Sequence, residues 1–224
     1  MAKKDGALLK RGQSILFDGD SLTNRRRPGS MDRWPFLDLM NWRDTYAEDM
    51  ERLLFCLRPD LRLSFRNVGI GGQSCRELAE RYDANVAAYK PDWIILTISG
   101  NDVSRGIPLA EFKQTMDTYV ARARKEWGGR VVFVGGFKAC PGAPEGSEER
   151  YAKRAAYYRV ERAIARKHGG LFVDAGTPLQ KKARELYKQS PAHTIYSDGG
   201  HFNPVGNLII AGKVLRGLGV DLTG

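Results

Sequence analysis

The chain has 224 residues, 25.0 kDa, with 42% hydrophobic and 28% charged side chains. That is enough chain to bury a full core as one α/β domain, residues 1–224, and neither a repeat period nor a low-complexity tract points to a solenoid or a disordered class. The formal charge is +10, from 36 basic and 26 acidic residues, a field that attracts polyanions; no helix-turn-helix, zinc-finger or RNA-binding motif accompanies it, so it specifies no nucleic-acid partner.

The first residues, MAKKDGALLKRGQ, hold only a short apolar stretch before Lys10, far less than a signal-peptide core, and no run is long enough to span a membrane. Three cysteines, Cys56, Cys75 and Cys140, form an odd set without CxxC spacing, which argues against a disulfide framework and a zinc site and makes a reducing cytoplasm the expected home. Cys56 lies among Leu53, Leu54 and Leu57 and reads as a small core hydrophobe.

Ser14 to Phe17 reads as a first strand. Thr45 to Leu57 follows as a helix with Tyr46, Met50, Leu53, Leu54 and Leu57 on one face. Leu61, Leu63 and Phe65 alternate as a second strand, and Leu78, Tyr82 and Val86 mark a helix. DWIILTIS, residues 92–99, is a continuous apolar run of the kind found in buried parallel strands. Phe112, Met116, Tyr119, Val120, Ala123 and Trp127 define the next helix, RVVFV the fourth strand, and a loop from Lys138 to Gly146 leads to a helix beginning near Ser147. LFVDAG is the fifth strand, and Thr177-Pro178 and Asn203-Pro204 each read as an N-cap followed by proline at the first helical position. Basic residues in RARKEW and ERAIARKH read as solvated helix faces. Regular alternation of strand and helix predicts a doubly wound three-layer α/β/α sandwich around a parallel sheet.

Polar blocks then fall at strand ends: DGDS after the first, NVGIGGQS after the second, SGND after the third, and SDGGH beyond the fifth. In open α/β sheets the loops at the carboxyl ends of the strands build the ligand crevice, so the four blocks are neighbours in space. Ser21 could expose its hydroxyl there, although a turn or cap serine is the plainer reading. His201 stands three residues after Asp198, a spacing at which a carboxylate can accept the imidazole Nδ1 proton while Nε2 faces Ser21; a surface turn fits the same residues. Acyl transfer by serine needs a base, an orienting carboxylate and donors for the oxyanion. Gly72 offers a backbone N–H and Asn101 a side-chain amide.

With these blocks in order, the chain resembles the GDSL or SGNH hydrolases: GDSLT with Ser21, NVGIGGQS with Gly72, SGND with Asn101, and DGGH with Asp198 and His201. The resemblance implies a flavodoxin-like sandwich of five parallel strands and an ester hydrolase without metal or organic cofactor. It makes Ser21 the nucleophile, His201 the general base and then acid, and Asp198 the orienter. The oxyanion hole is then the N–H groups of Ser21 and Gly72 with the Asn101 side chain. Two positions depart from the family's habit: Phe202 follows the histidine and Asp18 precedes the GDSL glycine. Within the family, PDWIILTISGNDV makes the chain look most like the intracellular carbohydrate acetylesterases, including acetylxylan esterases. The expected partner is therefore a small or carbohydrate ester, with lysophospholipase or thioesterase chemistry as the alternative and a homo-oligomer left open. Arg25, Arg26 and Arg27 follow the nucleophile block; a solvated loop is the plainer reading, and anionic esters would be favoured if one guanidinium faces the crevice rim. Trp34 and Trp42 offer indole faces for stacking on a pyranose, though such aromatics equally serve a core. Polyanion binding, or sugar binding without catalysis, remain as readings from other classes; neither requires Ser21, Gly72, Asn101, Asp198 and His201 together.

Overall fold

The computed structural model describes residues 8–23, 45–143, 145–197 and 200–222. Five strands, β1 (Ser14–Gly19), β2 (Ser64–Asn67), β3 (Trp93–Thr97), β4 (Arg130–Gly135) and β5 (Leu171–Asp174), form one sheet in the order β2-β1-β3-β4-β5. Every pairing is parallel, with Phe17 opposite Asn67 and Gly19 opposite Thr97. This is the flavodoxin-like order, and its reversal of direction at β1 and β3 opens a crevice at their carboxyl ends.

The strands are apolar on both faces because both are covered. Ile15, Phe17, Trp93, Ile95, Val132, Val134 and Val173 pack in the core shared with α1 (Tyr46–Leu57), α6 (Gly176–Gln189) and α7 (Pro204–Gly217). Leu16, Ile94, Leu96, Val131 and Phe133 pack in the core shared with α2 (Cys75–Glu80), α4 (Leu109–Trp127) and α5 (Ser147–Lys167). A five-residue helix, α3 (Gly100–Ser104), follows β3 directly. The layered α/β class expected from the alternation is what the chain forms.

Four local readings are corrected. Pro59 sets a tight 3₁₀ turn over Pro59–Leu61, and Arg62 enters the left-handed region at φ 47°, so the second strand starts only at Ser64 and Leu61 is buried in the turn before it. Cys56 is exposed: the buried face of α1 is Tyr46, Ala47, Met50 and Leu54, which turns Cys56 towards solvent. The Leu78–Val86 helix is a short α2 followed by a π-turn over Asp83–Ala87. Thr177 is not a cap, since α6 already begins at Gly176 and the Asp174 carboxylate accepts the Thr177 N–H at 3.1 Å. Asn203 does cap α7, accepting the Gly206 N–H at 3.1 Å with Pro204 at the first helical position.

Candidate active site

Gly19 ends β1 with φ 131°, and a Cβ there would lie 2.0 Å from the Thr97 carbonyl oxygen. Only glycine lets the chain turn so tightly against β3. The turn that follows is closed by its own polar groups: the Leu22 N–H donates to Asp20 Oδ1 at 2.9 Å and the Thr23 N–H to the Asp20 carbonyl at 3.1 Å. Buried Thr23 then fastens it, its hydroxyl 2.5 Å from the Thr97 hydroxyl, 3.2 Å from the Tyr46 hydroxyl and 3.0 Å from the Asp18 carbonyl. Ser21 is half-buried at the apex of this braced turn.

The chain returns to the same place 180 residues later. His201 Nε2 lies 2.8 Å from Ser21 Oγ. Its segment is held by an antiparallel bridge between Tyr196 and Phe202, by the Ser197 N–H donating to the His201 carbonyl at 3.0 Å, and by Asn203, whose amide donates to the Thr194 carbonyl at 2.7 Å. Phe202, one of the two departures, is buried and packs on Tyr196 and Phe137 at ring distances of 5.5 Å, so its bulk anchors the histidine segment. The other departure, Asp18, points to the α2 and α4 side. It is ion-paired with Arg81 and accepts the Tyr119 hydroxyl at 2.6 Å and the Gly19 N–H at 2.7 Å.

Gly72 is exposed in the loop after β2 with φ 85°, a conformation that favours glycine, and a Cβ there would meet nothing within 4 Å. The Arg105 guanidinium donates to its carbonyl oxygen and pairs with Glu77 at 2.5 Å. Asn101, half-buried at the start of α3, donates from Nδ2 to the Gln73 carbonyl at 2.8 Å, which ties the two glycine- and asparagine-bearing loops together. A carboxamide has a second N–H beyond that one. Ser99 turns the chain between β3 and α3 at φ 80°, with its N–H on Asp102 Oδ2 at 3.2 Å. Asp198 lies outside the described residues, as do Arg25, Arg26, Arg27, Trp34 and Trp42.

Beneath the crevice is a group of buried charges that no polar block announces, whereas the basic residues of ERAIARKH, Arg162, Arg166 and Lys167, are exposed as expected. Arg154 is buried against Ser99, Ile98 and the rings of Phe137 and Tyr158. Asp20 and Glu161 are buried too. The signal was the spacing: Tyr151, Arg154, Tyr158, Glu161 and Ala165 recur at intervals of three and four, one stripe of α5, and all five are buried. Burial pushes the Asp20 carboxyl above the usual carboxylate range, opposed by Arg154. It pushes Glu161 up to about 8, with Arg154 and the Ser99 hydroxyl pulling the other way. The folded protein therefore holds a proton on Glu161 that the unfolded chain has released, and this contribution to stability is present below the unfolded pKa of about 4.5 and lost as pH rises through about 8. Glu161→Gln is expected to raise the melting temperature by several degrees more at pH 8 than at pH 4.5; equal shifts in a calorimetric pH series would contradict it.

Among the described residues, no group of three or more His, Cys, Asp or Glu side chains is placed to hold a metal ion, and no helix is long and apolar enough to cross a membrane.

Residues 17–209 match the GDSL-like lipase/acylhydrolase family, and the chain belongs to it. It is a carboxylic ester hydrolase of the SGNH type. It is 31% identical over 218 residues to an acetylxylan esterase of Geobacillus stearothermophilus, covering 94% of this chain and 95% of that one. Among solved structures, the crystal structure of an acetylxylan esterase from Geobacillus stearothermophilus superposes with a TM-score of 0.77 at 27% identity, over 96% of this chain and 98% of that one. An α/β hydrolase from the metagenome of Lake Arreo, Spain, gives 0.75 at 26%, over the same shares. Three further matching structures are catalytic mutants of the Geobacillus esterase, with alanine for a serine, an aspartate and a histidine, the last two three positions apart.

Proposed function

We propose that the enzyme removes small acyl groups, chiefly acetyl, from hydroxyls of a carbohydrate, with the whole chain acting as one catalytic domain. The observation that carries the reading is the 2.8 Å contact between Ser21 Oγ and His201 Nε2 in a chain similar along 94% of its length to an acetylxylan esterase. A serine hydroxyl is a weak nucleophile until a base takes its proton. As His201 Nε2 accepts that proton, Ser21 Oγ bonds to the ester carbonyl carbon and the carbonyl π pair moves to oxygen. The oxyanion is met by the N–H groups of Ser21 and Gly72 and by the Asn101 amide. When it collapses, the C–O bond to the sugar breaks and His201 gives its proton to the departing alkoxide. Water, deprotonated by His201, then attacks the acyl-serine, and Ser21 recovers its proton as acetate leaves. Asp198 accepts a hydrogen bond from the His201 Nδ1–H and so fixes the tautomer, a role supported by its three-residue spacing from His201, the spacing of the aspartate and histidine replaced in the catalytic mutants of the relative. No cofactor enters these steps.

Arg25 and Arg26 are assigned to the substrate side through their place just after the nucleophile block, and Trp34, further along the same segment, through an indole face that can stack on a pyranose. Three free thiols suit a reducing cytoplasm as the place of action.

The test is a p-nitrophenyl ester series from acetate to octanoate, followed by acetate release from acetylated xylo-oligosaccharides. Each buried methylene contributes about 0.8 kcal/mol, so a fatty-acyl site favours the longer esters progressively, whereas an acetyl pocket rejects them. The expected result is a maximum at acetate and acetate freed from the sugars. A maximum at octanoate with no sugar activity would replace this reading by a lipid acyl hydrolase.

A further inference from the structure

Arg154 deepens that reading and rests on it. Its side chain rises from the buried stripe of α5 to the underside of the two turns that carry Ser21 and Asn101. Nη2 donates to the Ile98 carbonyl at 2.6 Å and Nε to the Ser99 hydroxyl at 3.0 Å. Nη1 faces Gly100, where an added Cβ would lie 3.2 Å from it and 3.4 Å from Asp20 Oδ2, so no side chain stands between the guanidinium and the Asp20 carboxylate, and the two act on each other through their opposite charges. Asp20 in turn holds the Leu22 N–H and closes the serine turn. Phe137 and Tyr158 lie beside the guanidinium, 5.5 and 5.2 Å from its carbon to the ring centres, and exclude water from it.

We infer that Arg154 is a positioning residue for ester hydrolysis, a single buried guanidinium that holds the nucleophile turn and the β3–α3 turn in register so that Ser21 and Asn101 address the same carbonyl. Arginine suits the task because its planar fork presents donors in several fixed directions, whereas lysine is a point charge. The β3–α3 turn needs such a hold: Ser99 keeps φ 80° without being glycine, which is sustained only where surrounding contacts over-determine it. Arg154 touches no reacting atom, and its effect passes through Ile98, Ser99 and Asp20.

The test compares Arg154→Lys, Arg154→Met and Ser99→Ala with the parent and with Ser21→Ala. Steady-state kinetics on p-nitrophenyl acetate are expressed per folded molecule, counted from urea titrations followed by near-ultraviolet circular dichroism. A displacement of about an ångström between reacting groups costs on the order of 100-fold in rate. Arg154→Met is expected to lose about that much kcat with little change in KM, Arg154→Lys roughly tenfold, and Ser99→Ala a smaller amount in the same direction. A side chain that merely holds the fold would lower the folded fraction and leave kcat per folded molecule intact. If Arg154→Met does not fold, Arg154→Lys and Ser99→Ala decide. Full kcat per folded molecule in the variants that fold, with Ser21→Ala inactive, would overturn the role of Arg154 alone; activity surviving in Ser21→Ala would overturn the site reading beneath it.

Discussion

Ser21→Ala is expected to lower kcat for p-nitrophenyl acetate by about 10,000-fold or more while the protein stays folded, with a melting temperature within a few degrees of the parent. The change deletes one half-buried oxygen whose described partner is His201, and leaves in place the Asp20 and Thr23 bonds that hold the turn. His201→Ala should cost a comparable factor, and the double variant should be scarcely worse than either, because a nucleophile and its base act as a unit. Multiplication of the two losses would mean that the side chains work independently and that the 2.8 Å contact is not the catalytic one. Labelling by a fluorophosphonate gives a second readout, expected in the parent and absent in Ser21→Ala.

Gly19→Ala should be the most damaging single methyl group in the site. The new Cβ meets a backbone carbonyl 2.0 Å away and the Thr23 hydroxyl 3.0 Å away, at φ 131°. Positive φ in a residue other than glycine costs about 1–3 kcal/mol and overpacking a further 1–3 kcal/mol, so a loss of about 2–6 kcal/mol is expected, a large share of the stability of a whole domain. The urea midpoint measures it. Gly72→Ala is the matched control: φ is 85°, yet the Cβ points into open space, so only the backbone term applies and the protein should fold. Equal midpoints for the two variants would refute the steric account of Gly19.

The sequence exposes its sheet readily, because strands covered on both faces are unbroken apolar runs: Trp93–Thr97 and Arg130–Gly135 stand out without any alignment. β2 is less legible. Its burial alternates between half-buried and exposed, and the fully buried leucine nearby, Leu61, belongs to the turn before it. Short polar blocks at strand ends single out Ser21, Gly72, Asn101 and His201, and the fold brings Ser21 and His201 to 2.8 Å and ties Asn101 to Gln73, next to Gly72. Arg154 and Glu161 were hidden because a charge is taken for solvent-facing by default. Only their register with Tyr151 and Tyr158 shows otherwise. The reason for Gly72 was also only half visible: the position needs a left-handed backbone, while nothing crowds the place of its missing side chain.

The separation of Ser21 and His201 by 180 residues has a consequence for the birth of the enzyme. A chain emerging from the ribosome presents its serine 180 residues before its histidine, and α7, which follows the histidine, docks on α1. Closing so long a loop costs little more entropy than closing one of half the length, about 0.6 kcal/mol, but it requires the intervening sheet to exist. On the proposed mechanism, hydrolytic competence is therefore acquired in one step, when the sheet between serine and histidine has formed, and a nascent chain that lacks the histidine segment is expected to carry no half-built activity against esters.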